Sequence, residues 1–372
     1  MERKNISKMV SICMFIVALF LIYWIGDRGL IRPRVAEGKI SQGTIVFDLD
    51  NPEVHAAITA QGRHTPRLMA MRGVVGTAAG LTEAGRAAVV VFAKDVAEAR
   101  GIPENLEGIP VDVRVVGEIF AIPRVSRSAI NPAGYFTTPV PIGVSTGVST
   151  GNPSLDCLAG TISARVKDGT GNVYALSNNH VYALENAVGK KTPPVVQPGL
   201  YDANPQCSFD PTRVIGYLYK YVTINFSGSN NTVDAAIASA VISPTPTIPL
   251  GLGNSTPSNG YGTPRSATAK ATLFQSVQKY GRTTALTRGT VIGINATINV
   301  GYDSGTARFV NQIAIFSSRP FIKPGDSGSL LVTYPGRKPV GLIFAGNASG
   351  SYAFANPIGP VLTSFGVTID GD

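Results

Sequence analysis

From Leu155 to Ile369 the apolar residues come in short runs, each cut off by Gly, Asn, Asp or Pro, and helical spacing returns only at Asn356–Phe365. Such runs between turn-forming residues are the pattern of strands. The 41 Gly and 26 Pro of the 372 residues supply the turns that many short strands need. This part therefore reads as all-β, closed by a short helix with Pro357 in its first turn and Val361, Leu362 and Phe365 on one face. At roughly 150 residues per domain the chain has room for about two domains. Each is large enough to bury a core without metals or disulfides as staples.

The residues before the all-β part read differently. Ile40–Ile122 mixes periods and is expected to form a small α+β module of its own. Asn51–Met71 carries Val54, Ala57, Ile58, Leu68 and Met69 at helical spacing, interrupted near Gly62 and ended by Gly73. Val74–Gly80 and Ala87–Ala93 flank the polar turn Thr82–Arg86 as a β-hairpin. A short helix is expected over Lys94–Arg100 and an alternating strand over Val111–Ile119. Neither His55 nor His64 has a nucleophile at a useful spacing, so both read as surface residues. Pro123–Pro153, rich in Pro, Gly, Ser and Thr, reads as a linker into a domain over 154–372.

Residues 1–30 carry an apolar stretch, Met9–Ile25, without a charge, close to the roughly 17–25 residues that cross a bilayer as a helix. No small-residue cleavage site follows it, which favours an uncleaved transmembrane anchor over a removed signal segment. Arg3, Lys4 and Lys8 place the N-terminus in the cytoplasm and the body outside it. Cys13 lies inside this stretch, leaving Cys157 and Cys207 as the cysteines that an oxidising compartment would allow to pair. The net charge of +9 comes from scattered Lys and Arg with no run or stripe, a distribution that argues against nucleic acid as a partner. No CxxC or Cys/His spacing is present, so no metal and no cofactor is expected.

The chemistry concentrates at three places. Lys323–Leu330, KPGDSGSL, sets Ser327 between glycines that let the backbone turn sharply and point two N–H groups at one spot. A serine hydroxyl attacks only when a base removes its proton. The one histidine after residue 64 is His180, in the apolar segment YALSNNHVYA. Asp234, in NTVDAAIA, begins another apolar strand, where a buried carboxylate can hold an imidazole in one tautomer. The chain order His180, Asp234, Ser327 is that of one of the three unrelated triad arrangements.

Together these segments resemble the trypsin/chymotrypsin-like serine peptidases, in particular their secreted bacterial branch, and also the narrow-leaf-type trypsin-like proteins. The resemblance covers Cys157–Ile369. Besides the triad positions it rests on Cys157–His180, on VQKYGRTTALTRGTVIGINATINV (277–300) and on NPIGPVLTSFGVTI (356–369). It implies a chymotrypsin-like double β-barrel with Ser327 as nucleophile, His180 as general base and Asp234 as its orienting carboxylate. It also implies an oxyanion hole from the N–H groups of Gly325 and Ser327, and a buried Asp326 paired with Arg282. The substrate would be a peptide or protein. The S1 pocket would lie between Arg319–Pro324 and Phe344–Ala348, with Phe321 in the place that sets P1 preference, which points to a small or apolar P1 side chain.

Three departures accompany the resemblance. Asn178 and Asn179 replace the family's Ala-Gly before the histidine, and Val181 replaces the cysteine after it, so Cys207 becomes the candidate partner of Cys157. Phe344, in GLIFAG, stands where the family has a serine that hydrogen-bonds the triad aspartate. Ser329 after GDSG is a smaller change. Phe344 sustains a second reading, in which the domain is catalytically inactive and serves as a peptide-binding or scaffolding module. For residues 40–122 a removable pro-region and a permanent spacer remain equal alternatives.

Overall fold

The computed structural model describes residues 51–121, 131–240 and 251–372. The segments Met9–Ile25 and Ile40–Asp50 lie outside them. Among the described residues no helix is long and apolar enough to cross a membrane.

The first described element is helix α1, Pro52–Met69. Asn51 caps it by accepting from the Glu53 and Val54 N–H groups, Pro52 needs no N–H at that position, and Glu53 and Arg67 complement the helix dipole. It runs unbroken through Gly62 and Pro66 where an interruption was expected. Its buried face, Val54, Ala57, Ala60, Gln61 and Leu68, holds it in place. Strands β1 (Val74–Leu81) and β2 (Ala87–Ala93) form the expected hairpin. Helix α2 (Val96–Ala99) then leads to β3 (Ile109–Val115), parallel to β2, and on to the short β4 (Ile119–Ala121).

The next strands make the first barrel. These are β5 (Ser145–Val148), β6 (Gly160–Thr161), β7 (Ala164–Asp168), β8 (Val173–Ser177), β9 (Pro194–Val196), β10 (Val214–Tyr221) and β11 (Ala236–Ala240). Their antiparallel pairings run β7-β8-β11-β10-β9-β5-β6. The chain bends from β6 into β7, which brings the two ends of the series together. Helix α3 (Pro153–Asp156) precedes β6, and helix α4 (Asn179–Tyr182) follows β8.

The second barrel closes fully. Its strands are β12 (Ser276–Gly281), β13 (Ala285–Tyr302), β14 (Gly305–Phe316), β15 (Leu330–Thr333), β16 (Pro339–Asn347) and β17 (Tyr352–Pro357). Each pairs antiparallel with two neighbours in a ring. Helix α5 (Ile358–Phe365) follows with Pro357 just before its first turn, and β18 (Val367–Ile369) returns to pair with β7.

The α+β segment does not keep a sheet to itself. β1 pairs antiparallel with β13, from Gly76 opposite Ile298 to Gly80 opposite Gly293, so the hairpin extends the second barrel's sheet. All the described residues fall in one compact unit. The physical reason is that every residue of β2 and all but one of β1 are buried, which one helix on one face cannot achieve. Phe92 meets Phe354 edge to face at 5.5 Å between ring centroids, and Gln61 donates to Thr77 Oγ1 and to the Asn295 carbonyl. A Cβ on Gly80 would lie 2.6 Å from Val90 Cγ2 and 2.7 Å from the Ile292 carbonyl oxygen. Gly80→Val is therefore expected to destabilise the chain by about 1–3 kcal/mol in urea unfolding. The amides of residues 293–298 should exchange faster with solvent in that variant.

Candidate active site

The Ser327 turn is built at the seam between the barrels. Gly325 and Gly328 both have φ near +94°, a conformation that L side chains rarely adopt. A Cβ on Gly328 would collide with the Thr161 carbonyl oxygen at 2.1 Å and with Ser177 Oγ at 2.4 Å. Thr161 fastens the turn to the first barrel. Its N–H donates to the Ser327 carbonyl at 2.8 Å, its hydroxyl donates to the Gly325 carbonyl at 2.7 Å, and it accepts from the Arg282 N–H. Ser177, which ends β8 beneath this turn, immediately precedes Asn178, Asn179 and His180, and this continuity brings the histidine helix α4 to the serine turn.

His180 and Asp234 meet directly. His180 Nδ1 lies 2.5 Å from Asp234 Oδ2, and the His180 backbone N–H donates to Oδ1 at 3.2 Å. Both side chains are essentially inaccessible, at 1% and 0%. A carboxylate on Nδ1 fixes that nitrogen as the donor and leaves Nε2 as the basic one. Among the described residues Nε2 is buried with no hydrogen-bond partner.

The two asparagines that depart from the family pattern are both employed. Asn178 Nδ2 donates to the Asp234 carbonyl at 2.8 Å. Asn179 bridges to the Val222 carbonyl and to Asn186, which fastens the loop after α4. The Asp234 N–H donates to Asn356 Oδ1, itself held by Gln312.

Phe344 makes no bond to Asp234. It is fully buried against Phe309, with ring centroids 4.8 Å apart. The hydroxyl on the aspartate comes instead from Tyr302, at the end of β13, whose Oη donates to Asp234 Oδ2 at 2.9 Å. Burial, reinforced by the Asp234 charge, pushes the Tyr302 phenol well above its usual pKa, so it stays protonated where a free phenol ionises. Nothing in the sequence spacing singles out this tyrosine.

The Asp326–Arg282 pair is not formed. The Arg282 guanidinium pairs with Asp202, its Nε donating to Oδ2 at 2.7 Å. The cation beside Asp326 is Lys279, with Nζ 3.3 Å from Oδ2 and both side chains fully buried. Asp326 also accepts from the N–H groups of Thr283, Thr284 and Lys323 and from the Thr284 hydroxyl. These short-range donors converge on Asp326 and leave no room for a planar guanidinium fork, which finds its matching carboxylate in Asp202. Burial lowers the Lys279 pKa and the Asp326 charge opposes that shift. Cys157 and Cys207 form a disulfide, with Cα atoms 4.9 Å apart.

Beside the serine turn lies a cleft of about 500 Å³. Ile322, Lys323 and Pro324 form one wall and Gly346, Asn347 and Ala348 another, within the segments expected for S1. Phe321 does not line it and is fully buried in the second barrel's core. Phe120 and Ala121 of β4, with Gly301, Tyr302 and Asp303, complete the lining. β4 is there because it pairs antiparallel with β16, Ala121 opposite Ala345 and Ile119 opposite Asn347.

Lys279→Met would strand the Asp326 charge among neutral donors. A loss of about 3–5 kcal/mol in urea unfolding is expected, as for other buried pairs broken on one side.

No family model matches the chain. Streptogrisin-A of Streptomyces griseus is 30% identical over 141 residues, 32% of this chain and 45% of that protein. The chain thus spans about half the length of that curated relative. Among solved structures, Thermobifida fusca protease A aligns at 19% identity over 63% of this chain and 100% of that one, with a TM-score of 0.43. The Cellulomonas bogoriensis chymotrypsin aligns at 19% identity over 63% and 99%, with a TM-score of 0.40. The chain is similar, in sequence and over part of its length, to the bacterial branch of the trypsin/chymotrypsin-like serine peptidases.

Proposed function

We propose that this chain is a serine endopeptidase, held in a membrane by Met9–Ile25 with its body outside the cytoplasm. The observation that supports the catalytic part is the buried His180–Asp234 pair with an unpartnered Nε2, on the segment that continues from Ser177 beneath the Ser327 turn. In this reading Ser327 Oγ attacks the carbonyl carbon of a peptide bond while its proton passes to His180 Nε2. The carbonyl π electrons move onto oxygen, where the N–H groups of Gly325 and Ser327 receive the charge. The tetrahedral adduct collapses as the C–N bond breaks and the imidazolium returns its proton to the departing amine. Water, deprotonated by the same imidazole, then hydrolyses the acyl-enzyme. The chemistry needs no metal or cofactor.

Tyr302 answers the feature that favours the inactive binding module, because the aspartate keeps a hydroxyl donor although position 344 has none. The Cys157–Cys207 disulfide supports an extracytoplasmic body, and the uncharged run Met9–Ile25 supports the anchor. The cleft presents apolar surface from Ile322 and Pro324 together with the charges of Lys323 and Asp303, which fits a peptide and leaves the P1 side chain open.

β4 gives residues 40–122 a regulatory role in the same reading. An extended peptide binds by adding its backbone to a free strand edge. Residues 345–347, just beyond the Ile343 carbonyl that accepts from the Gly328 N–H, offer such an edge, and β4 occupies it. The described state is then self-blocked, as a pro-region would make it.

A fluorophosphonate probe tests both parts on the full chain. Labelling is expected for the wild type and absent for Ser327→Ala. Phe120→Pro removes a backbone N–H from the middle of β4, between Gly346 of β16 and Gly301 of β13, and should speed labelling about tenfold, the effect of roughly 1.4 kcal/mol. Folded wild-type and Phe120→Pro chains that both refuse the probe would overturn the peptidase reading in favour of the inactive binding module.

A further inference from the structure

We propose that Tyr302 is the positioning residue of this site, holding Asp234, and through it His180, in the orientation that transfers the serine proton. The proposal rests on the peptidase reading above and names the group on which its triad depends. Asp234 Oδ2 has two donors, the His180 ring at 2.5 Å and the Tyr302 hydroxyl at 2.9 Å, while Oδ1 takes the His180 N–H. Without the phenol the carboxylate is held at both oxygens by His180 itself, the residue it has to orient. The pair then lacks the anchor in the second barrel that fixes its direction.

Further contacts fix the phenol itself. The Tyr302 ring meets the His180 ring at 5.9 Å and the Phe226 ring at 5.6 Å, both edge to face. Tyr302 stands where β13 turns into β14, opposite Gly305. That turn is latched from the histidine side, because Glu185 accepts from the Asp303 N–H at 3.2 Å and from the Ser304 N–H at 2.7 Å. Glu185 sits in the loop that follows α4, where Leu184, Glu185 and Asn186 all have positive φ. Such a run of left-handed non-glycine residues persists only where surrounding contacts impose it. Histidine helix, latch, tyrosine and aspartate therefore form a closed circuit. The circuit passes from the first barrel to the second and back.

Tyr302→Phe in the full chain tests the assignment, since it removes one oxygen and keeps the ring in its aromatic cluster. Saturation kinetics of the fluorophosphonate probe separate the maximal inactivation rate from the half-saturation concentration. The maximal rate is expected to fall about tenfold, the scale of one hydrogen bond to a charged group, with half-saturation within about twofold of the wild type. A second readout is the downfield proton resonance of His180 Nδ1–H, assigned by its loss in His180→Ala. Its shift should change in Tyr302→Phe, because the hydroxyl and the Nδ1–H share Asp234 Oδ2. An unchanged rate with an unchanged resonance overturns the proposal, as does a rate loss fully matched by loss of folded protein. A wild-type chain that takes no probe overturns the peptidase reading instead, and the resonance alone then decides for or against Tyr302.

Discussion

A carboxylate removed from water must find its solvation in the protein, and Asp234 finds it from both barrels at once. The first barrel contributes the His180 ring and backbone N–H, and Asn178 donates to the Asp234 carbonyl. The second contributes the Tyr302 hydroxyl, while Asn356 accepts from the Asp234 N–H. A buried charge left short of donors costs several kcal/mol. The relative placement of the barrels is thereby tied to the geometry of one side chain. The same requirement holds the serine turn in register, because Thr161 and Ser177, which seat that turn, lie on the strands leading to His180.

Asp326 is another buried carboxylate at this seam, and it is satisfied in a contrasting way. Its partners are a cation, three backbone N–H groups and a hydroxyl, all from the turn itself and the adjoining end of β12. None of these takes part in proton transfer. Asp326 shapes the loop that carries Ser327, whereas Asp234 has as its nearest donor a group able to exchange its proton.

Much of this was legible in the sequence, and the exceptions have physical reasons. The short apolar runs, the hairpin around Thr82–Arg86 and the helix after Pro357 follow from local spacing and turn chemistry, and the structure contains them. The attachment of β1 to β13 depends on a partner more than two hundred residues away. Its trace was present in Ala87–Ala93, a run with no polar alternation, which marks a strand covered on both faces. Lys279 was legible by parity, since it shares a strand face with Val277 and so points inward, where a buried acid needs a cation. Sequence reasoning chose Arg282 from resemblance and overlooked this alternation. Tyr302 left no such trace, because its role comes from the reach of a hairpin end across the seam.

The division between Phe344 and Tyr302 also bears on how this cleft can change. In the family pattern the strand that would line the substrate also carries the hydroxyl for the aspartate, so each substitution there touches recognition and catalysis together. In this chain that strand, β16, carries no donor to Asp234. On the peptidase reading, residues 345–348 carry no support for Asp234, and the two demands meet instead at Tyr302 of β13, which both donates to Asp234 and lines the cleft.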